Sequence, residues 1–329
     1  MARVMVSTLF VRNADDPLLA PLREAGHDIQ VVDGISVRTE DALVRALRGV
    51  GATLASTEPY SARVLDQAPD LKVISRTGVG YDAIDVAAAT ERGVVVCTTP
   101  NTNQHSVADL AVALILASAR RLVEAVDLVR GGGWTPQPVG LELRGLSIGI
   151  VGTGLIGREV IKRLAGFEPR LLAYDVVESA EVAERFGVRY VPFDTLLAES
   201  DVVTLHAPLM PQTRGLMNRD TFGKLKPGAY LVNTARGPLV DETALFEALR
   251  SGRLRGAALD VVDQEPLPVE SPLRGAPNLV LTPHVAGSTT QAIEAMVTMA
   301  VQNAARVLRG EAPLSCVNPA VLAQRGQTV

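Results

Sequence analysis

The sequence predicts an α/β protein built on two parallel sheets covered by helices, and three observations predict it. Short apolar runs alternate with helix-spaced segments along nearly all of the 329 residues, the pattern of strand–helix–strand units. One unit, from Leu146 to Asp175, breaks its strand into Gly152, Gly154 and Gly157 and opens a helix at once. The length suits about two domains, each large enough for its own core. Together these describe a Rossmann doubly wound parallel sheet and a smaller, flavodoxin-like α/β layer before it.

In the first hundred residues strands are expected at 4–10, 29–32, 53–56, 73–75 and 94–97, with helical spacing at 40–47 and 62–68. This half lacks the glycine triplet, so the nucleotide site lies elsewhere. Its informative turn is Arg76-Thr77-Gly78-Val79-Gly80-Tyr81-Asp82. Two glycines one residue apart let successive N–H groups, those of Val79 and Gly80 among them, converge on a carboxylate or phosphate. The same stretch also reads as a plain tight turn, and Arg76 as either a charge for an anion or a solvated surface residue. Residues 98–101 break the pattern, and a helix over 107–120, apolar nearly all round, suits a connector buried between layers. His105, just before it, reads as a cap or surface residue. Residues 131–140, Gly-Gly-Gly-Trp-Thr-Pro-Gln-Pro-Val-Gly, form an extended arm with Trp134 as an anchor on a neighbouring element or subunit.

In the glycine motif, Gly152 permits the turn, Gly154 lets the backbone approach a pyrophosphate, and Gly157 lets helix and strand pack closely. The phosphates then sit at the positive end of the helix, over Leu155 and Ile156. Asp175 closes a second strand, 171–175, about 20 residues further on, where a carboxylate accepts the ribose hydroxyls and repels a 2′-phosphate. That favours NAD over NADP. Strands follow at 202–206, 229–234, 256–261 and 278–282, with a helix capped by Asp241 and stopped by Gly252. One sheet of six or seven strands results. The last long helix, 288–309, is expected to cross back to the first domain.

Bulk properties exclude several classes. The chain is 47% hydrophobic and 21% charged with net charge −4, and its pI is near 5.7, so nothing favours nucleic acid or an anionic membrane as partner. Cys97 and Cys316 are the only cysteines. They are too few for a disulfide framework and lack metal-ligand spacing, so no metal is expected and a cytoplasmic, reducing location is. Cys97 ends a valine run and reads as core. The chain enters a strand at its start, without a long apolar segment.

Ligands of open parallel sheets bind at the carboxyl ends of the strands. Arg236, Glu265 and His284 each follow a predicted strand. Singly they read as a helix cap, a turn and a loop start. Jointly they offer an arginine to grip a carboxylate, a histidine to move a proton near neutral pH, and a glutamate to stabilise its charged form. That set suffices for hydride exchange between a nicotinamide and a 2-hydroxy acid.

The stretches Asn233-Thr234-Ala235-Arg236-Gly237, Ala258-Leu259-Asp260-Val261 with Glu265-Pro266, and Thr282-Pro283-His284-Val285-Ala286-Gly287 resemble the signatures of the D-isomer-specific 2-hydroxyacid dehydrogenases. The similarity runs over about residues 71–319 and includes Gly78–Asp82 and Ser106–Asp109. It implies a substrate domain of 1–102 and 288–329 with an NAD-binding domain, 103–287, inserted. It implies that Arg236 anchors the substrate, that His284 is the acid/base and Glu265 its partner, and that the chain forms a homodimer through the coenzyme domain. It also implies cofactor contacts from His206, Thr234, Ala235, Asp260 and Gly287, and substrate contacts from Ser56, Arg76, Val79 and Gly80. Within the family the phosphoglycerate dehydrogenases are the most similar, which makes 3-phosphoglycerate the first substrate to consider. Two features depart from that branch. Where its members commonly carry an arginine for the substrate phosphate, this chain has Ala55-Ser56-Thr57-Glu58, and the sequence ends without the appended domain of serine-inhibited members. Reduction of glyoxylate or hydroxypyruvate is the alternative, and an NAD(H)-sensing corepressor-like binding protein is the alternative of another class.

Overall fold

The computed structural model describes residues 1–324 and divides into two compact units, one of residues 1–103 with the segment from Thr289 onward, the other Gln104–Ser288. The first unit holds a parallel sheet of β1 (Arg3–Val6), β2 (Asp28–Val31), β3 (Val50–Ala55), β4 (Val73–Arg76) and β5 (Val95–Cys97) in the order β2-β1-β3-β4-β5, the flavodoxin-like arrangement. Alternate residues serve opposite faces, as the pleat requires. Val4, Val6, Val73, Val95 and Cys97 pack with Val297, Ala300, Val301 and Ala304 of the long helix Thr290–Leu308. Met5, Ile74 and Val96 pack with Leu43, Val64 and Leu65 on the other side. Small residues on the helix let it approach closely enough for Ser75 Oγ to donate to Ala300 O at 2.8 Å. The helix begins two residues later than its polar start suggests, because Thr289 is the cap, its Oγ1 accepting from Ala292 N at 3.2 Å. β1 stops at Val6 although the apolar run continues to Phe10. A Cβ on Gly34 would lie 2.2 Å from Ser7 O, so the neighbouring loop occupies the space where pairing would continue.

The second unit holds β6 (Ser147–Val151), β7 (Arg170–Tyr174), β8 (Arg189–Tyr190), β9 (Val202–Leu205), β10 (Ala229–Asn233), β11 (Leu254–Leu259) and β12 (Leu279–Leu281) in one parallel sheet, ordered β12-β11-β10-β9-β6-β7-β8. Ile148 and Ile150 face a layer formed by the helices Gln104–Ala119 and Leu155–Leu164, while Val151, Val203, Leu205 and Leu231 face the opposite core. The order reverses between β6 and β9, so the chain leaves these two neighbouring strands in opposite directions and opens a crevice at their carboxyl ends. The helix Leu122–Arg130 buries none of its residues. Among the described residues no helix is long and apolar enough to cross a membrane, and no group of three or more His, Cys, Asp or Glu side chains is placed to hold a metal.

Candidate active site

The glycine turn is shaped by backbone contact. Gly152 has φ +94°, and a Cβ there would meet the backbone of His206 and Ala207 at 2.7 Å; a Cβ on Gly157 would lie 2.0 Å from Gly152 O. Only glycine fits either place. Gly154 differs, because a Cβ there meets nothing within 4 Å. It is the N-cap of Leu155–Leu164 and offers no side chain to the first N–H groups, which an α-helix leaves without partners of its own. Leu155 is half exposed at this end and Ile156 partly buried.

Asp175 stands just past β7. Its Oδ2 accepts from Thr153 N at 2.5 Å and Thr153 Oγ1 at 3.1 Å, and Oδ1 from Val177 N at 3.2 Å. Burial by itself raises its pKa, but these donors outweigh burial and hold the carboxyl below its ordinary value. Tyr190 of β8 extends the chain by donating to Thr153 Oγ1 at 2.9 Å. The acidic residue therefore braces the glycine turn. Thr153 and Tyr190 are additions the sequence reading misses; the hydroxyl between two motif glycines is the one signal that could have found them.

β9 and β10 pair with Leu205 opposite Asn233, so His206 and Thr234 come side by side beyond the strand ends, next to Gly152. His206 Nε2 lies 3.0 Å from Thr204 Oγ1, while His206 Nδ1 and Thr234 Oγ1 are buried without a hydrogen-bonding partner. Burial pulls the His206 pKa down to about 3, so the ring is neutral. An uncapped helix end, open space over Gly154 and two buried polar atoms awaiting partners at the switch point are what a dinucleotide would complete. The residues fit NAD.

The Arg236 loop is held by a residue not singled out from sequence. Asn233 is fully buried; its Nδ2 donates to Arg236 O at 2.7 Å and its Oδ1 accepts from Ala235 N at 3.0 Å. A polar side chain ending an apolar strand is the signal that marks it. Arg236 Nη1 donates to Ala235 O at 2.7 Å. A Cβ on Gly237 would overlap Val262 C at 2.0 Å, so this glycine brings the Arg236 loop against the loop that carries Glu265. Glu242 anchors that second loop by accepting from Asp263 N at 2.7 Å, its carboxyl pushed up by burial.

His284 Nδ1 lies 2.8 Å from Glu265 Oε2. A carboxylate only accepts, so Nδ1 carries the hydrogen and Nε2 is left to exchange a proton. His284 sits at φ +54°, a conformation sparsely used outside glycine and kept only where the surroundings enforce it. Asp260 does so. Its O accepts from His284 N at 2.8 Å, Oδ1 from Thr282 Oγ1 at 2.6 Å and Val285 N at 2.9 Å, and Oδ2 from Ala286 N at 2.8 Å. Asp260 is 1% exposed, and three of the acceptor positions of its carboxylate are taken by the 282–286 loop. Gly287 follows that loop, which closes with Ser288 N donating to Val285 O at 2.8 Å.

In the first unit, Ser56 and Arg76 lie at the carboxyl ends of adjacent strands β3 and β4, with Val79 exposed and Gly80 partly buried in the turn beyond. Arg76 Nη1 donates to Thr77 O at 2.8 Å and would lie 2.6 Å from a Cβ on Gly78, so the guanidinium is folded along the turn rather than extended into solvent. Glu58 is 1% exposed; its Oε2 accepts from Ser56 N at 2.8 Å and its Oε1 is buried without a partner.

Residues 112–286 match the family model described as D-isomer specific 2-hydroxyacid dehydrogenase, NAD binding domain. A glyoxylate reductase of Thermofilum pendens is 44% identical over 294 residues, 87% of this chain and 87% of that protein. A D-3-phosphoglycerate dehydrogenase of Archaeoglobus fulgidus is 43% identical over 273 residues, 82% of this chain and 51% of that protein. The crystal structure of a Thermus thermophilus protein superposes with a TM-score of 0.86 at 40% identity, covering 96% of this chain and 99% of that one. With this sequence similarity spread over most of its length, the chain belongs to the D-isomer-specific 2-hydroxyacid dehydrogenase family, NAD-dependent oxidoreductases that act on CH–OH groups.

Proposed function

We propose that the protein interconverts a small, unphosphorylated 2-keto acid and its D-2-hydroxy acid, with His284 as the acid/base. The His284–Glu265 pair at 2.8 Å carries this reading, because it fixes the tautomer that presents Nε2. Bound NAD(H) supplies or accepts the hydride. Protonated His284 gives its proton to the keto oxygen in reduction and takes it back in oxidation, Glu265 stabilising the charged ring. Arg236 holds the substrate carboxylate; in the first unit, the N–H groups of Val79 and Gly80, Ser56 and Arg76 are the substrate-binding candidates. Gly152, Gly154, Leu155, Ile156 and Gly157 take the pyrophosphate, Asp175 the ribose, and His206, Thr234, Ala235, Asp260 and Gly287 line the remainder of the cofactor site.

The substrate's far end is read from the 55–58 stretch. It carries no cation, and its one charge is the Glu58 carboxylate with an oxygen that no donor satisfies. A phosphate brought beside it is repelled. Glyoxylate and hydroxypyruvate are therefore favoured over a 3-phosphorylated acid. Steady-state rates with NADH on glyoxylate, hydroxypyruvate and phosphohydroxypyruvate test this. The expected result is a kcat/KM at least tenfold higher for the unphosphorylated acids; the reverse order removes the substrate assignment, and no turnover of any 2-keto acid favours the sensor reading.

The same proposal makes the protein a cytoplasmic homodimer. The helix Leu122–Arg130 exposes Leu122, Val123, Val126 and Val129, and Trp134 and Val139 of the following arm are each more than two thirds exposed. Such an apolar surface suits a second copy. Light scattering at micromolar concentration is expected to give twice the chain mass, and Val126→Glu to give a monomer.

A further inference from the structure

The two cysteines lie outside the machinery above, and the fold sets them face to face. The segment after the long C-terminal helix returns along the outer edge of β5. Val317 N donates to Val96 O at 2.8 Å, and Thr98 Oγ1 lies 3.4 Å from Ser315 Oγ. Residue 96 thus meets 317 and 98 meets 315, an antiparallel register that sets Cys97 opposite Cys316. The faces agree. Cys97 and Cys316 both pack in the cluster of Val73, Val95 and Val301, whereas Val96 and Val317 pack in the opposite one. Directly opposed residues of an antiparallel pair have Cα atoms about 4.5–5.5 Å apart, inside the range a disulfide spans.

Two buried asparagines lock this register. Asn303 donates to Thr98 O at 3.3 Å and accepts from Leu314 N at 2.8 Å and Ser315 N at 3.3 Å. Asn318 donates to Val94 O at 2.9 Å and Thr90 Oγ1 at 3.0 Å and accepts from Val96 N at 2.8 Å. The clamps stand on either side of Cys316. Neither cysteine is in a disulfide, and the two differ in access: Cys97 is fully buried and Cys316 partly exposed.

We propose that Cys97 and Cys316 are an oxidant-operated dithiol whose disulfide staples the C-terminal segment to the edge of the five-stranded sheet. A two-electron oxidant of the peroxide class acts first on the accessible thiol. The Cys316 sulfur attacks one peroxide oxygen, the O–O bond breaks, and a sulfenic acid and water result. The Cys97 sulfur then attacks Cys316 Sγ, the S–S bond forms as the S–O bond breaks, and the Cys97 proton leaves with the hydroxyl as a second water. Two thiols are oxidised and one peroxide is reduced to two waters. Burial, and to a smaller degree the charge of Cys316, raise the Cys97 pKa far above that of a free thiol, so the second step is slow. The bond once made is reduced slowly, through the partly exposed Cys316 sulfur.

The test uses the full, reduced protein and hydrogen peroxide. The expected product loses about 2 Da, the two thiol hydrogens, and yields a peptide joining residue 97 to residue 316. Dithiothreitol reverses both changes, and Tm rises by several degrees while the bond is present. Cys316→Ser abolishes the mass loss, and Asn318→Leu, which releases the register at one end, slows it severalfold. A mass gain of one to three oxygens on Cys316 with Cys97 still a thiol overturns the proposal. So does cross-linking between two chains through Cys316, or two unchanged thiols after exposure that oxidises a free thiol completely.

Discussion

The two units each carry a pair of closely spaced glycines at the carboxyl end of a parallel strand, and the two turns end differently. After Gly78 and Gly80 the next helix, Val86–Glu91, has its N-terminus capped by Asp85, whose Oδ1 accepts from Ala88 N at 2.9 Å. After Gly152 and Gly154 the helix starts at once and its cap residue has no side chain. One helix satisfies its own donors and the other leaves them for a ligand. A glycine pair alone therefore does not mark a phosphate site; the turn proposed to hold one is the pair that runs directly into an uncapped helix.

Substitutions at the two turns sharpen the contrast. The largest effect is expected from Gly157→Val, whose side chain has to displace Gly152 O: NADH binding by fluorescence titration is lost and Tm falls by many degrees. Next comes pH. Folded His206 stays neutral down to about 3, whereas the unfolded ring takes up a proton near 6.5. Stability is therefore fully present above pH 6.5 and lost as pH falls toward 3, by up to about 1.4 kcal/mol per unit. Urea midpoints at pH 7.5 and 5.0 measure this, and His206→Asn is expected to flatten that slope. Gly154→Asp supplies the missing cap and places a carboxylate where the pyrophosphate goes. NADH affinity is expected to fall at least tenfold with Tm unchanged or higher, and a fall in both would remove the distinction. The smallest effect is at the capped turn: Asp85→Ala costs about 1 kcal/mol of stability and leaves the Kd for NADH unchanged.

Much of the site was legible in the sequence because its residues are punctuation. Gly152, Gly154 and Gly157 break a strand that Asp175 answers, and Arg236, Glu265 and His284 interrupt apolar runs where a parallel sheet puts its ligands. What was not legible has physical reasons. β8 is two residues long, too short for a period. The helix Leu122–Arg130 does carry a helix-spaced apolar stripe, Leu122, Val123, Val126 and Val129, but buries none of it, so no core of this chain calls for it. Asp260 braces the 282–286 loop through the Thr282 hydroxyl and the Val285 and Ala286 N–H groups, a role that depends on where that loop, more than twenty residues on, lies in space. Asn233 is a second case: a residue type common in turns becomes the brace for two neighbours because a strand happens to end there.

The proposed proton transfer depends most on His284. The direct measurement is turnover and NADH binding of His284→Ala in parallel. A loss of about 10²–10⁴-fold or more in kcat is expected with a Kd for NADH within about twofold of the parent, since the proposed pyrophosphate and ribose contacts lie on other strands. Turnover within a few fold of the parent, with NADH bound normally, would contradict it.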